Sequence, residues 1–305
     1  MPIKGLKGGT GVKPLGYGLS VAEEESEPNF NENTLLLHAD GSEGGGNTSA
    51  LGSPNYKAFR DNSTSAHAIT VEGDAYGNDF SPYYYADGYW SNLFDASGDY
   101  FTIPASSDFN FGTGQFTIEL FVYFTNSVGA GTLIGQSAFG SVLQLQSSGY
   151  FQYYDINTAS YLLTGGVTAS KNTWTHVVVQ RDASNNLDLF INGTRQATTT
   201  STATLGFTSA QNLTIHSWNG NISPNETYYS NIRIIKGSSV YTSGSSITVP
   251  TTPLTAVSGT ELLTCQSNRF KDNSTTGRTI TVSGDPKVST NTPFTQSKTA
   301  NVGAG

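Results

Sequence analysis

Short runs of Val, Ile, Leu, Phe and Tyr, separated by clusters of Gly, Ser, Thr, Asn and Asp, recur from residue 34 to residue 294. Runs of this kind bounded by turn-forming residues read as β-strands. Phe116-Thr117-Ile118-Glu119-Leu120-Phe121-Val122-Tyr123-Phe124 is too apolar for a strand with one wet face, so the pattern places it inside a sandwich. Trp174 to Arg181, the polar turn Asp182 to Asn186, and Leu187 to Gly193 together predict a β-hairpin. In its second strand Leu187, Leu189 and Ile191 share one face, with Asp188, Phe190 and Asn192 on the other. Further strands are predicted at Thr34–His38, Phe101–Pro104, Leu133–Gly135, Val142–Gln146, Tyr150–Tyr154, Asn212–His216 and Tyr229–Lys236. No segment offers a convincing amphipathic helix. So many short strands at close spacing predict an all-β chain, a two-sheet antiparallel sandwich or jelly roll.

One segment occurs twice. Residues 59–83 and 270–294 align without a gap, and eleven of the twenty-five positions are identical, including Asp61-Asn62-Ser63-Thr64 with Asp272-Asn273-Ser274-Thr275 and Ile69-Thr70-Val71 with Ile280-Thr281-Val282. Two copies around a long unrepeated middle do not make a solenoid, which needs three or more stacked units. They are expected to bracket one sandwich spanning 34–294, their Ile-Thr-Val runs serving as strands and their Asp-Asn-Ser-Thr turns as local backbone hydrogen-bonders. Residues 1–33 carry Gly, Pro and the acidic run Glu23-Glu24-Glu25-Ser26-Glu27 without apolar periodicity, and read as an extended arm; residues 295–305 read as a tail. The Gly-rich Lys7-Gly8-Gly9-Thr10-Gly11 lacks the Gly-Lys-Ser/Thr ending of a phosphate loop.

Charge narrows the partners. The net charge is -8, with no dense Lys/Arg cluster, so a nucleic acid is not an expected partner. No stretch approaches the roughly 18 apolar residues of a membrane span, and the start lacks the apolar core of a signal peptide, so neither a membrane nor Sec export is expected. Cys265, the single cysteine, allows no internal disulfide and no cysteine metal cluster. Asn-X-Ser/Thr triplets follow from the Asn/Thr/Ser-rich composition and are not read as glycosylation sites.

The Trp-centred hairpin ending in Ile191-Asn192-Gly193 resembles the hairpin of the laminin-G-like, concanavalin-A-like lectin/glucanase superfamily. Phe116-Thr117-Ile118-Glu119-Leu120-Phe121-Val122, the stretch LFDASGDYFTIP at 93–104, and Tyr229-Ser230-Asn231-Ile232-Arg233-Ile234 resemble three more of its motifs, in family order. The resemblance implies a concanavalin-A-like jelly roll with extended N- and C-terminal arms. Residues 232–294, with Leu262-Leu263-Thr264-Cys265-Gln266-Ser267-Asn268-Arg269-Phe270, resemble laminin-G-like domains of tailed phages of marine bacteria, including cyanophages. That second resemblance implies a virion component assembled in the host bacterial cytoplasm, such as a capsid-surface, fibre or tail-appendage protein. Other virion proteins and further copies of this chain are then the expected partners, with a host-surface glycan as an alternative ligand.

The superfamily includes glycosidases, which need two carboxylates flanking the scissile bond. Glu119 is followed at alternate positions by Phe121 and Tyr123, so its strand lacks the second acid and no catalytic residue is expected. His38, His67, His176 and His216 lie on separate segments without metal-ligand spacing and are read as structural. Asp87, Asp95 and Asp99 cluster around a Gly-rich turn and form the candidate calcium set, although turn aspartates also serve local hydrogen bonding; no cofactor is otherwise expected. Glycan binding needs aromatic platforms beside amides. Trp218, Asn219 and Asn221 with Tyr228 and Tyr229 supply that chemistry, and Tyr84 and Tyr85 supply a second cluster. The leading expectation is a non-enzymatic virion structural protein, the alternative is a carbohydrate-binding module for host attachment, and a glycoside hydrolase ranks third.

Overall fold

The computed structural model describes residues 86–295 apart from 96–97, 127 and 137–139, together with 37–38, 60–61, 65 and 67–70. The chain divides into two compact units, one of residues 1–48, 54–84 and 296–305, the other of residues 49–53 and 85–295. In the first unit Leu37–His38 pairs antiparallel with Arg60–Asp61. Tyr84, Tyr85, most of the 59–83 segment and both predicted arms lie outside the described residues, except Thr295.

The second unit is a two-sheet antiparallel sandwich. Its first sheet runs Thr194–Thr200, Asn186–Ile191, Thr175–Arg181, Phe116–Phe124, Thr227–Lys236, Ser91–Phe94 and Lys287–Ser289, with Thr260–Thr264 also paired to Thr227–Lys236. The second sheet runs Ser160–Thr168, Tyr150–Asp155, Ser141–Leu145, Gly131–Gln136, Leu213–Ile215, Tyr100–Ile103 and Thr281–Ser283. Alternation puts Phe116, Ile118, Leu120, Val122 and Phe124 into the core from one strand and Leu187, Leu189 and Ile191 from another. Phe151, Tyr153, Leu143 and Leu145 meet them from the opposite sheet. The Phe116–Phe124 strand is buried on both faces, as its composition predicts.

The predicted hairpin is present. Thr175–Arg181 pairs with Asn186–Ile191, and Asp182 closes the turn by accepting from the amides of Ser184 and Asn186. The next turn is Asn192-Gly193, both at positive φ (48° and 79°), the conformation a two-residue antiparallel connection requires. The second copy of the repeated segment supplies one edge to each sheet: Thr281–Ser283 pairs with Tyr100–Ile103, and Lys287–Ser289 with Ser91–Phe94. Asp272 accepts from the amides of Leu263, Ser274 and Arg278, the local backbone role expected of its turn. No helix among the described residues is long and apolar enough to cross a membrane.

Candidate functional site

Each sheet of the sandwich has an outer face, and the two differ in kind. On the first sheet, Glu119 points outward and is fully buried. Two nitrogens of the Arg233 guanidinium, Nε and Nη2, donate to its Oε1, the Tyr241 hydroxyl donates to Oε2 over 2.7 Å, and His176 Nε2 lies 3.5 Å from Oε2. Burial alone would raise the Glu119 pKa. The His176 ring, the Arg233 guanidinium and the Tyr241 hydroxyl outweigh that penalty and hold the carboxyl below its ordinary range.

The cover over this face is the irregular strap 238–255. Val240 N donates to Thr117 Oγ1, Gln180 Nε2 to the Tyr241 carbonyl, and the Ser243 hydroxyl to Asp188. Farther along, Ile247 N donates to the Gly193 carbonyl and Leu254 N to Asn231 Oδ1. Asp188 and Phe190, the polar-side residues of the hairpin, are therefore buried as well. This face is closed.

The outer face of the second sheet is built from neutral residues. Register aligns Thr132 with Gln144, Gln144 with Gln152, and Gln152 with Thr164, giving a polar row across four strands. Gln152 is 4% exposed and organises the row: its Nε2 lies 3.2 Å from both Gln146 Oε1 and Thr164 Oγ1, and its Oε1 lies 3.5 Å from Gln144 Nε2. Beside it runs a second row in which Val142 pairs with Tyr154 and Tyr154 with Tyr161. The Tyr154 and Tyr161 rings have centroids 4.8 Å apart, and Tyr161 is 60% exposed.

Trp218 bounds the same face. Ser217–Trp218 pairs with Asn221–Ile222 around Asn219-Gly220, both at positive φ (51° and 74°), so a tight hairpin carries the indole. That hairpin lies over Gly135: a Cβ there would stand 3.3 Å from Trp218 Cβ and 3.1 Å from Thr132 Cγ2. Glycine at 135 lets Trp218 approach the head of the polar row. Aromatic surfaces thus adjoin a band of amides and hydroxyls, the pairing that a sugar's apolar face and hydroxyl rim call for.

The predicted aromatic set is only partly brought together. Trp218 is half-buried, and Asn219 and Asn221 are exposed at the hairpin tip. Tyr228 and Tyr229 are 2% and 0% exposed, and neither presents a ring to solvent. Tyr228 packs on Tyr123, while Tyr229 enters the core and its hydroxyl lies 3.0 Å from His216 Nδ1. Adjacent strand residues face opposite ways, so this pair could not line one loop. Gln144, Gln152, Thr164, Tyr154 and Tyr161 were not singled out by sequence; the alternation of glutamine and tyrosine in Tyr150–Asp155 was the available signal.

The predicted acidic set divides. Asp87 bonds to the Ser267 hydroxyl and to Lys271 Nζ at 2.9 Å, away from the others. Asp95 and Asp99 are joined instead by Asp285, the three offering oxygens within 4.8 Å of one another. Asp99 accepts from the amides of Asp95 and Asp285 at 3.1 and 2.7 Å, and burial, more than its neighbours' charge, raises its pKa. Lys287 Nζ lies 3.9 Å from Asp95 and 4.0 Å from Asp285, placing an ammonium among the acids.

The family model for the concanavalin A-like lectin/glucanases superfamily, Laminin_G_3, matches residues 95–238. That stretch, a little under half of the chain, is similar to domains of this superfamily. No curated protein matches the chain in sequence. Among solved structures, a Bacteroides ovatus protein assigned to carbohydrate binding is similar at 15% identity and a TM-score of 0.50, over 67% of this chain and 60% of that one. The chain therefore spans less than two thirds of that protein's length. The Ruminococcus gnavus IT-sialidase CBM40 bound to sialyllactose is similar at 15% identity and a TM-score of 0.37, over 49% of this chain and 92% of that one. A pentraxin of Limulus polyphemus is similar at 12% identity and a TM-score of 0.35, over 48% of this chain and 75% of that one. At 15% identity the likeness to the Bacteroides ovatus protein is one of fold.

Proposed function

We propose that this chain is a non-catalytic carbohydrate-binding protein whose ligand lies on the outer face of the second sheet. The carrying observation is the polar row Thr132–Gln144–Gln152–Thr164 set beside Tyr154 and Tyr161 and headed by Trp218. Gln144 and Thr164, held in place by the buried Gln152, reach solvent and bond sugar hydroxyls, each net contact contributing about 1 kcal/mol, while the rings cover the apolar face of a pyranose. The fold is one shared with the Bacteroides ovatus protein assigned to carbohydrate binding. A glycosidase reading finds no support at Glu119, which is buried, held ionised by Arg233 and followed at alternate positions by Phe121 and Tyr123. A glycan array probed with the wild type and Tyr161→Ala tests the site. Binding should weaken by about tenfold, or about 1.4 kcal/mol, in the variant; unchanged binding would move the ligand elsewhere.

The resemblance of residues 232–294 to phage laminin-G-like domains supports a second element: the module is carried on a virion, in several copies and against other virion proteins. Virion parts occupy symmetric positions, which favours self-association. Mass spectrometry of purified particles should find the chain at stoichiometric copy number, and its absence from washed particles would rule the location out.

A further inference from the structure

The face proposed to bind sugar has an unusual electrostatic character. From residue 127 to residue 170, which supplies four adjacent strands of the second sheet, the only charged residue is Asp155. Asp155 is 1% exposed, and its carboxylate accepts from Asn157 and Thr158 rather than facing the row. Residues 196–225, which supply Leu213–Ile215 and the Trp218 hairpin, contain no Asp, Glu, Lys or Arg. Among the described residues the ion pairs lie elsewhere: Glu119 with Arg233, Asp188 with Arg195, Asp108 and Glu261 with Arg278, Asp87 with Lys271, and Asp95 and Asp285 with Lys287.

Carboxylate or sulfate groups on a sugar are recognised by charge-assisted bonds, above all from Arg. With no such donor on this face among the described residues, taking an anion onto it costs desolvation with no compensating pair. Amides and hydroxyls, by contrast, donate to and accept from neutral hydroxyl groups alike. The row's length adds a second constraint: four strands at about 4.8 Å spacing extend roughly 14 Å, longer than one pyranose ring. Thr164 and Tyr161 are exposed at its outer end, on the edge strand Ser160–Thr168, so that end is open to solvent.

We infer that the ligand is an uncharged oligosaccharide of several pyranose units lying along Thr132–Gln144–Gln152–Thr164, an inference that rests on the carbohydrate-binding reading above. The test uses the full chain with neutral gluco-, manno- and galacto-oligosaccharides of one to four units, beside sialyllactose and heparin fragments, at about 0.05 and 0.5 M NaCl. Expected is binding confined to the neutral panel, at least tenfold stronger for tetrasaccharides than for single sugars, unchanged within about twofold between the two salt concentrations, and weakened at least tenfold by Gln144→Ala and by Tyr161→Ala. Both side chains reach solvent, so circular dichroism should show both variants folded. Binding to the anionic probes that weakens with salt and is lost in those variants would overturn the neutral-ligand inference and leave the site standing. Binding indifferent to both variants, or no binding to any probe, would overturn inference and site together.

Discussion

His216 shows how one residue sets a pH dependence. Its ring is buried between Phe94 and Tyr229, and burial pushes its pKa down to about 3, with a backbone hydrogen bond at Ser223 opposing only in part. The native state keeps His216 neutral while the unfolded chain takes up a proton below its ordinary value of 6.5. Stability from this group is therefore complete above pH 6.5 and falls as pH drops toward 3, by about 1.4 kcal/mol per pH unit. His216→Asn, which tolerates the site's positive φ of 70°, should flatten that slope in urea melts between pH 6 and pH 4; an unchanged slope would assign the acid lability to other groups. Glu119 acts lower: its depressed pKa gives stability that is present above the ordinary carboxylate value and lost as pH falls through the folded one.

At the scale of elements, sequence reading succeeded where burial follows a period and failed where side chains hold the backbone. The Thr175–Ile191 hairpin and the Phe116–Phe124 strand were legible because Leu187, Leu189 and Ile191, and a near-continuous apolar run, write their environment into the sequence. The strap 238–255 was not, since its Ser, Thr and Gly pattern says loop and its order comes from bonds to Thr117, Gln180, Asp188 and Glu119. Tyr241 is its central anchor. Tyr241→Phe should destabilise the domain by about 1–2 kcal/mol, because Glu119 loses a buried donor; denaturant unfolding measures it, and a loss below a few tenths would show the strap held by its other bonds. The acidic cluster follows the same logic, since Asp285 reaches Asp95 and Asp99 only through the edge strand Lys287–Ser289 beside Ser91–Phe94.

Across the whole molecule, the two-sheet sandwich was readable from strand pattern and motif order, whereas the candidate binding face was not. Thr132, Gln144, Gln152 and Thr164 belong to four different strands, and only the register of the sheet makes them a row. Trp218 was visible as an aromatic beside Asn219 and Asn221, but its partner surface depends on Gly135, far away in the chain. The two sheets thereby divide their labour: one outer face is sealed by the strap, and the other presents Tyr161, Thr164 and part of Gln144 and Tyr154 to solvent beside the buried Gln152 and Thr132. The most direct check is a crystal structure of the protein soaked with a bound neutral tetrasaccharide. The account predicts sugar density along Gln144, Gln152 and Thr164 with a ring against Tyr154 or Tyr161, and a ligand ordered anywhere else, with this face empty, would contradict it.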